Sequence, residues 1–436
     1  MQGRRVSYMI SVALPRFCSQ TLDAAGIDTA AAAAGRRMID ASTVKAYVEL
    51  HIEQGPILEA EGKTIGVSTW VGYSSNEGKM LTLAILDNEL GVIKTFHRAY
   101  EEEYSQQVNG YKIGDTLSIR RPADFTVRSG ATLSTQDVIE GKVDLTIDQQ
   151  IGVDFQFSST DLTLKVTDLA ERVMKPAMSN VINYMANDVL STMYKRLYHW
   201  VGTPGQTINS FSDFALGPQR LDTMAVPMDD RNAVLSPGDY WGMLGSQTAL
   251  YIQNAASGAY RDGSLGKIGG VDTRMNQMVP THTVGPLGGT PLVNGASQNV
   301  TYDTAKNTWT QSLITDGWTA AAASRVKEGD VFKIYASGTS GAYVKWVNPK
   351  TKAVTDQDAT FVVTADGSSD GSGNLTLTIS PPIITSGVYQ TVNVAPADNA
   401  GLTFIGSAST GYAQNMMYHK NTMALAIVPM EMPAAT

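Results

Sequence analysis

Val143-Asp144-Leu145-Thr146-Ile147-Asp148-Gln149-Gln150-Ile151-Gly152-Val153-Asp154-Phe155-Gln156-Phe157 is the run that decides how this chain is read. Seven of its eight odd positions are apolar, and only Gln149 breaks the set. Side chains that alternate with period 2 point to opposite faces of a β-strand. At about 3.3 Å per residue, a strand of this length reaches roughly 50 Å, well beyond the usual ~5–6 residues.

Upstream, Leu117, Ile119, Phe125 and Val127 keep the same parity. Ser129-Gly130 and Glu140-Gly141 lie between the two runs as turn signals. The pattern predicts a long two-stranded hairpin over 112–157. A hairpin is marginal in water by itself, so it needs another surface, and a second subunit is one candidate. The basic step Ile119-Arg120-Arg121-Pro122 rides on it. It reads either as exposed edge charge or as an intersubunit salt bridge, with the acidic run Glu101-Glu102-Glu103 as one partner type.

Outward from the hairpin, 79–108 carries helical patterning. The best helix is predicted over 167–201, with Asp168 and Glu171 near a capping box, Pro176 as a kink or first-turn residue, and Gly202 as terminator. Met178, Val181, Ile182, Met185, Val189, Leu190, Met193 and Leu197 share one face of it, a packing stripe. Between 203 and 285 the texture is mixed. Val234–Asp239 reads as a strand end and turn, with a short helix from Tyr240, and the Gly-rich run Gly263–Gly270 as a flexible loop. From about 290 to 406, Thr, Ser, Val and Gly dominate. Alternating runs at 331–334, 360–363 and 375–379, with a low-complexity hairpin tip or flexible loop at 365–374, predict a small β-barrel or sandwich. At the other end, 20–45 reads as an Ala-rich helix and 46–67 as strand, Gly-Pro turn and strand.

The 436 residues suffice for two to four domains. A single cysteine, Cys18, excludes a disulfide framework and a Cys-rich zinc site. No run of 18 or more apolar residues is present. A net charge of -8 argues against broad duplex-DNA binding. Charged residues make up 17%, below the ~25% of ordinary chains, as suits a subunit whose surface is largely covered by copies of itself. The five histidines are far apart and form no metal-spaced pair. No Walker loop or Gly-x-Ser-x-Gly elbow occurs.

The order of elements from about residue 76 resembles a tailed-phage major capsid protein, nearest to the coat protein of short-tailed temperate phages with an inserted β-domain. The residues that carry this are Tyr111-Lys112-Ile113-Gly114-Asp115-Thr116-Leu117-Ser118-Ile119-Arg120-Arg121-Pro122, the run at 143–157, the helix at 167–201, Tyr260-Arg261-Asp262-Gly263 and Ala413-Gln414-Asn415-Met416-Met417-Tyr418-His419-Lys420. The resemblance implies an α+β capsid fold of the tailed-phage and herpesvirus type. It implies an N-terminal arm at 76–111, an extended loop at 112–157, a peripheral domain with spine helix at 158–202, an axial domain at 203–289, an inserted β-domain at 290–406, and a return to the axial domain at 407–436 that is short of its C-terminal elements. It further implies pentamers and hexamers in an icosahedral phage or prophage shell, scaffolding and portal proteins as partners, DNA packaged without sequence reading, no membrane, and assembly in a bacterial cytoplasm.

Residues 1–75 read differently. Glu49-Leu50-His51-Ile52-Glu53-Gln54-Gly55-Pro56 resembles the metal-dependent amidohydrolases of N-carbamoyl amino acids and allantoate. By that resemblance His51 is a vestigial metal ligand and Gln54 a substrate residue. The family's other ligands are not found here, so the expectation is a fragment without activity. No catalytic, cofactor or metal site is assigned. An amidohydrolase is the alternative reading of the whole chain, and a tail adhesin built on 290–406 a weaker third.

Overall fold

The computed structural model describes residues 91–100, 116–125, 127, 135–149, 151, 153, 175–248 and 263–427, with the backbone of two early strands. Those strands, β1 (Tyr47–His51) and β2 (Ser68–Gly72), pair antiparallel. The second begins just beyond the 46–67 span expected to hold both. The predicted helix at 20–45 lies outside the described residues.

Within the expected helical stretch 79–108, the described part is a single 3-10 turn, Ile93–Thr95, after which Phe96 is extended. Tertiary contacts overrule the helical pattern here. The Thr95 hydroxyl bonds the Val92 carbonyl and the Tyr418 hydroxyl, and His97 pairs backbone to backbone with Met423 and Leu425.

The hairpin forms, but its ladder is short. β3 (Thr116–Arg120) and β4 (Lys142–Thr146) pair antiparallel with Leu117 opposite Leu145 and Ile119 opposite Val143. Ile147, Ile151 and Val153 continue the alternation outside any strand. Alternation marked the face, and the extent of cross-strand pairing set where the strand stops.

Helix α1 (Lys175–Tyr194) carries Pro176 in its first turn, where the missing N–H costs nothing. It buries Met178, Ile182, Ala186, Val189, Leu190 and Met193, the predicted stripe. It ends at Tyr194, eight residues before the predicted terminator Gly202. The chain leaves the helix there because Tyr194, Tyr198 and His199 are taken up by contacts with the β-rich region.

A four-stranded sheet packs with this helix. Its order is β20-β5-β7-β6, from β5 (Arg231–Leu235), β6 (Lys267–Ile268), β7 (Val271–Met275) and β20 (Met416–His419). β5 is buried throughout and pairs parallel with β7. Its buried Arg231 is held by Asp222 at 2.7 Å and by the carbonyls of Val226 and Pro227. Helix α2 (Phe211–Thr223) was hidden in sequence by Gly217 and Pro218. At Gly217 a Cβ would lie 2.8 Å from the Sδ and Cε end of Met417, which would have to swing aside. Helix α3 (Pro237–Thr248) starts three residues before the predicted Tyr240. Ser236 and Asp239 cap each other and Pro237 opens the first turn. The Gly263–Gly270 run is not a flexible loop. Lys267–Ile268 is strand, and Gly269 and Gly270, both at positive φ, make the two-residue turn into β7.

The third unit is the β-rich region. β8 (Thr281–Thr283) pairs with β19 (Gly411–Ala413). A six-stranded antiparallel sheet of order β18-β12-β15-β17-β10-β9 is built from β9 (Gly289–Val293), β10 (Gln311–Trp318), β12 (Val331–Ile334), β15 (Thr360–Val363), β17 (Leu375–Ser380) and β18 (Leu402–Phe404). A bridge between Leu292 and Gly401 nearly closes it into a barrel. Its interior holds Leu313, Phe332, Ile334, Trp346, Phe361, Val363, Leu377 and Ile379. Short helix α4 (Tyr302–Ala305), the two-stranded sheet of β11 (Ala323–Val326) with β16 (Gly367–Ser369), and the hairpin of β13 (Lys345–Val347) with β14 (Val354–Asp358) decorate it. The 365–374 stretch is therefore the tip of the β15–β17 hairpin, as one of its two readings had it, and is structured rather than a flexible loop. Its turn is tied by Asp370, whose carboxylate accepts from the amides of Ser372 and Asn374 and is held below its ordinary pKa by the Asn374 bonds.

Candidate assembly surfaces

Of the predicted site residues, the structure places only the backbone of one. His51 is the last residue of β1, opposite Ser68, and Gln54 lies outside the described residues. Among the described residues no cluster of three or more His, Cys, Asp or Glu could hold a metal ion, and no helix is long and apolar enough to cross a membrane.

What the structure offers instead is surface. The hairpin is a two-stranded sheet of its own, with Phe125, Val127, Val138, Val143 and Ile151 exposed. Val127 is fully exposed and Val138 is 64% exposed. Apolar side chains concentrated on a projecting element mark an interaction surface. The basic step is used within the chain: Arg120 meets Glu140 at 3.3 Å on the exposed face, and Arg121 sits over the Trp309 ring at 5.6 Å. Residues 101–103 lie outside the described residues.

At the end of the ladder away from Thr116 and Thr146, the root of the segment that bears Val127 and Val138, the hairpin is joined to the β-rich region. Lys142 N donates to Asn307 Oδ1 at 3.1 Å, and Asp124 N to the Tyr389 hydroxyl at 2.9 Å. Tyr389 stacks on Tyr302 with ring centres 3.5 Å apart. Gly141 lies against the Lys306 carbonyl.

A second joint links α1 to the barrel through polar groups that sequence spacing did not connect. His282 Nε2 donates to Asp330 Oδ1 at 2.8 Å, and its Nδ1 faces the Tyr194 hydroxyl at 3.3 Å. Asp330 is buried and also accepts from the amides of Gly285 and Lys327. Burial pushes the Tyr194 hydroxyl above its ordinary pKa. On the outer side, Glu328 binds Lys195 at 3.1 Å and Arg196 at 3.3 Å. A sequence cue existed in Glu328-Gly329-Asp330: Gly329 sits at positive φ with Tyr194 and His282 within about 3.2 Å of where a Cβ would go.

Just beyond α1, the His199 ring packs against Trp346 at 4.7 Å with the planes tilted by 59°, and its Nδ1 is sealed from solvent. Burial, and then nearby Arg220, push its pKa down to about 3, so it is neutral. A cleft of about 660 Å³ opens beside it between the 200–220 segment and the barrel. Two of its lysines share one carboxylate: Lys345 and Lys333 grip Asp358 at 2.6 and 3.0 Å. Burial alone would raise that carboxyl, but the two lysines outweigh it and lower its pKa. Nothing in this cleft is arranged as nucleophile, base or metal ligand.

Comparison with known proteins agrees with a structural role. Solved phage capsid chains share low identity with this one. The Mycobacterium phage Che8 chain is 13% identical, with 71% of this chain and 86% of that one covered and a TM-score of 0.35. For the cyanophage P-SCSP1u capsid the values are 13%, 68%, 81% and 0.28, and for the bacteriophage PhiM1 mature capsid 10%, 66%, 81% and 0.28. A syringate O-demethylase of Sphingobium sp. (strain NBRC 103272 / SYK-6) is 82% identical over 27 residues, 6% of each chain. This chain thus spans only a small fraction of that relative, and so short a match says nothing about activity. The family model for P22 coat protein, gene protein 5, matches residues 83–436. Over that span, most of its length, the chain belongs to the P22 coat protein family, a structural subunit of the phage capsid shell and a component of the virion rather than an enzyme.

Proposed function

We propose that the hairpin at 112–157 is the extended loop with which each subunit reaches across its neighbour in the shell. The observation that carries this is the set of exposed apolar residues that no second layer covers, Val143 in the ladder and Phe125, Val127 and Val138 in the segment beyond it. In this reading 76–111 is an N-terminal arm, 158–202 the peripheral domain with α1 as spine, 203–289 the axial domain to which 407–436 returns, and 290–406 an inserted domain built on the barrel. Subunits close into pentamers and hexamers of an icosahedral shell, guided by scaffolding and portal proteins, around DNA held without sequence reading. The separate hydrophobic cluster of the barrel supports setting 290–406 apart, while one cluster runs through the arm, α1 and the sheet together. Closed point-group assemblies draw their stability from such repeated interfaces.

The test is assembly. Full-length protein expressed with a phage scaffolding protein is expected to give closed shells by electron microscopy and fast-sedimenting particles. Val138→Asp with Val143→Asp should leave the subunit folded by circular dichroism and abolish shells. Normal shells from the double variant would refute the role of the hairpin.

A further inference from the structure

We propose that the barrel region is the seat that aims the far part of the hairpin: α4 and the Trp309 turn form a docking platform for the place where the β3–β4 ladder gives way to the segment that carries Val127 and Val138. Four kinds of contact converge there. Gly141 is set so close to the platform that a Cβ would lie 2.3 Å from the Lys306 carbonyl oxygen and 3.1 Å from the Tyr302 hydroxyl. Lys142 N donates to Asn307, and Arg121 N closes the root by donating to the Gly141 carbonyl at 2.8 Å. The Arg121 guanidinium lies over Trp309, a cation–π contact worth about 0.5–1 kcal/mol when exposed. Asp124 N donates to Tyr389, which is itself stacked on Tyr302 of α4. Both arms are thus held where they leave the ladder, and the exposed Val127 and Val138 beyond are not.

A two-stranded ribbon pivots at its root. Fixing both arms to a rigid, nearly closed barrel restricts the directions in which Val127 and Val138 can be presented, and so lowers the entropic cost of meeting a neighbour. Gly141 is not at positive φ, so an alanine there is opposed only by the platform itself, through Lys306 and the Tyr302 hydroxyl. That makes the seat separable from the hairpin's own folding.

The proposal rests on the reading of the hairpin as the intersubunit loop, and the test separates the two. Hydrogen exchange is measured on the unassembled full chain, followed by assembly with scaffolding protein. Gly141→Ala should raise exchange at the amides of Arg121, Asp124 and Lys142 at least tenfold, leave β10 and β17 protected, and give irregular or fewer shells. Asn307→Ala, at an exposed position that the barrel core does not use, should raise exchange at Lys142 with a smaller loss of shells. Unchanged exchange in both variants would overturn the docking. Raised exchange with normal shells would overturn its role in aiming. If Val138→Asp assembled normally while Gly141→Ala still raised exchange, the intersubunit reading would fall and the seat would stand.

Discussion

The hairpin and the barrel are written in the same code and meet opposite ends. Both are runs of apolar residues at period 2. In β10, β12, β15 and β17 the inward residues Leu313, Phe332, Phe361 and Leu377 are sealed inside one subunit. In the hairpin Val143 and Val138 face outward. The difference is closure. Six strands bend until the Leu292–Gly401 bridge nearly joins the edges, whereas two strands have no second layer to fold onto. Period 2 therefore says where a face is, and the number of strands available says whether the subunit itself can cover it.

The comparison breaks most visibly in the barrel core. Phe361→Ala should cost about 3–5 kcal/mol, because it empties a site surrounded by Phe332 and Trp346. Chemical denaturation of the unassembled subunit measures it. A cost under about 1 kcal/mol would mean that the barrel is not an independent core.

Next in size is the joint between α1 and the barrel. Asp330→Ala removes the acceptor of two backbone amides and of His282, leaving buried donors unpaired, and should cost about 2–4 kcal/mol. Asp330→Asn keeps one oxygen acceptor and should cost less. Equal effects of the two would show that the charge, not the acceptor geometry, holds the joint.

How much of this was readable without coordinates follows the same division. Local patterns were: the hairpin and its register face, the buried stripe of α1, and the barrel strands at 331–334, 360–363 and 375–380. Features decided at long range were not. Helix α1 stops at Tyr194 because His282, a residue 88 positions away, claims that tyrosine. Helix α2 tolerates Gly217 and Pro218 because Met417 packs against the glycine. The 365–374 stretch is ordered because β11 supplies its partner strand. Candidate residues fared likewise. A metal-site motif around His51 was conspicuous in sequence, whereas the contacts that join the pieces, Gly141 with Lys306 and Asp330 with His282, link residues more than 45 positions apart.

A smaller effect concerns the seam beside the barrel. His199 has a folded pKa of about 3, below its ordinary 6.5, so the unfolded chain binds the extra proton between those values. Stability from keeping it neutral is fully present above pH 6.5 and is lost as pH falls, by up to about 1.4 kcal/mol per pH unit. His199→Phe, which stacks but does not titrate, should flatten subunit stability between about pH 6.5 and 3. An unchanged slope would place the acid sensitivity elsewhere.

The smallest effect on the subunit is expected where the comparison matters most. Exposed positions outside a core usually shift stability by no more than about 0.5 kcal/mol, and Val138 lies on the hairpin beyond the contacts at its root. Val138→Asp should therefore leave the denaturation curve of the unassembled chain within that margin, while Phe361→Ala moves it by several kcal/mol. If the charge instead destabilised the lone subunit as a core mutation does, Val138 would have to be covered within its own chain. The hairpin would then be a second closed unit like the barrel, and a residue that costs the monomer nothing yet costs the shell its neighbours would have to be sought elsewhere.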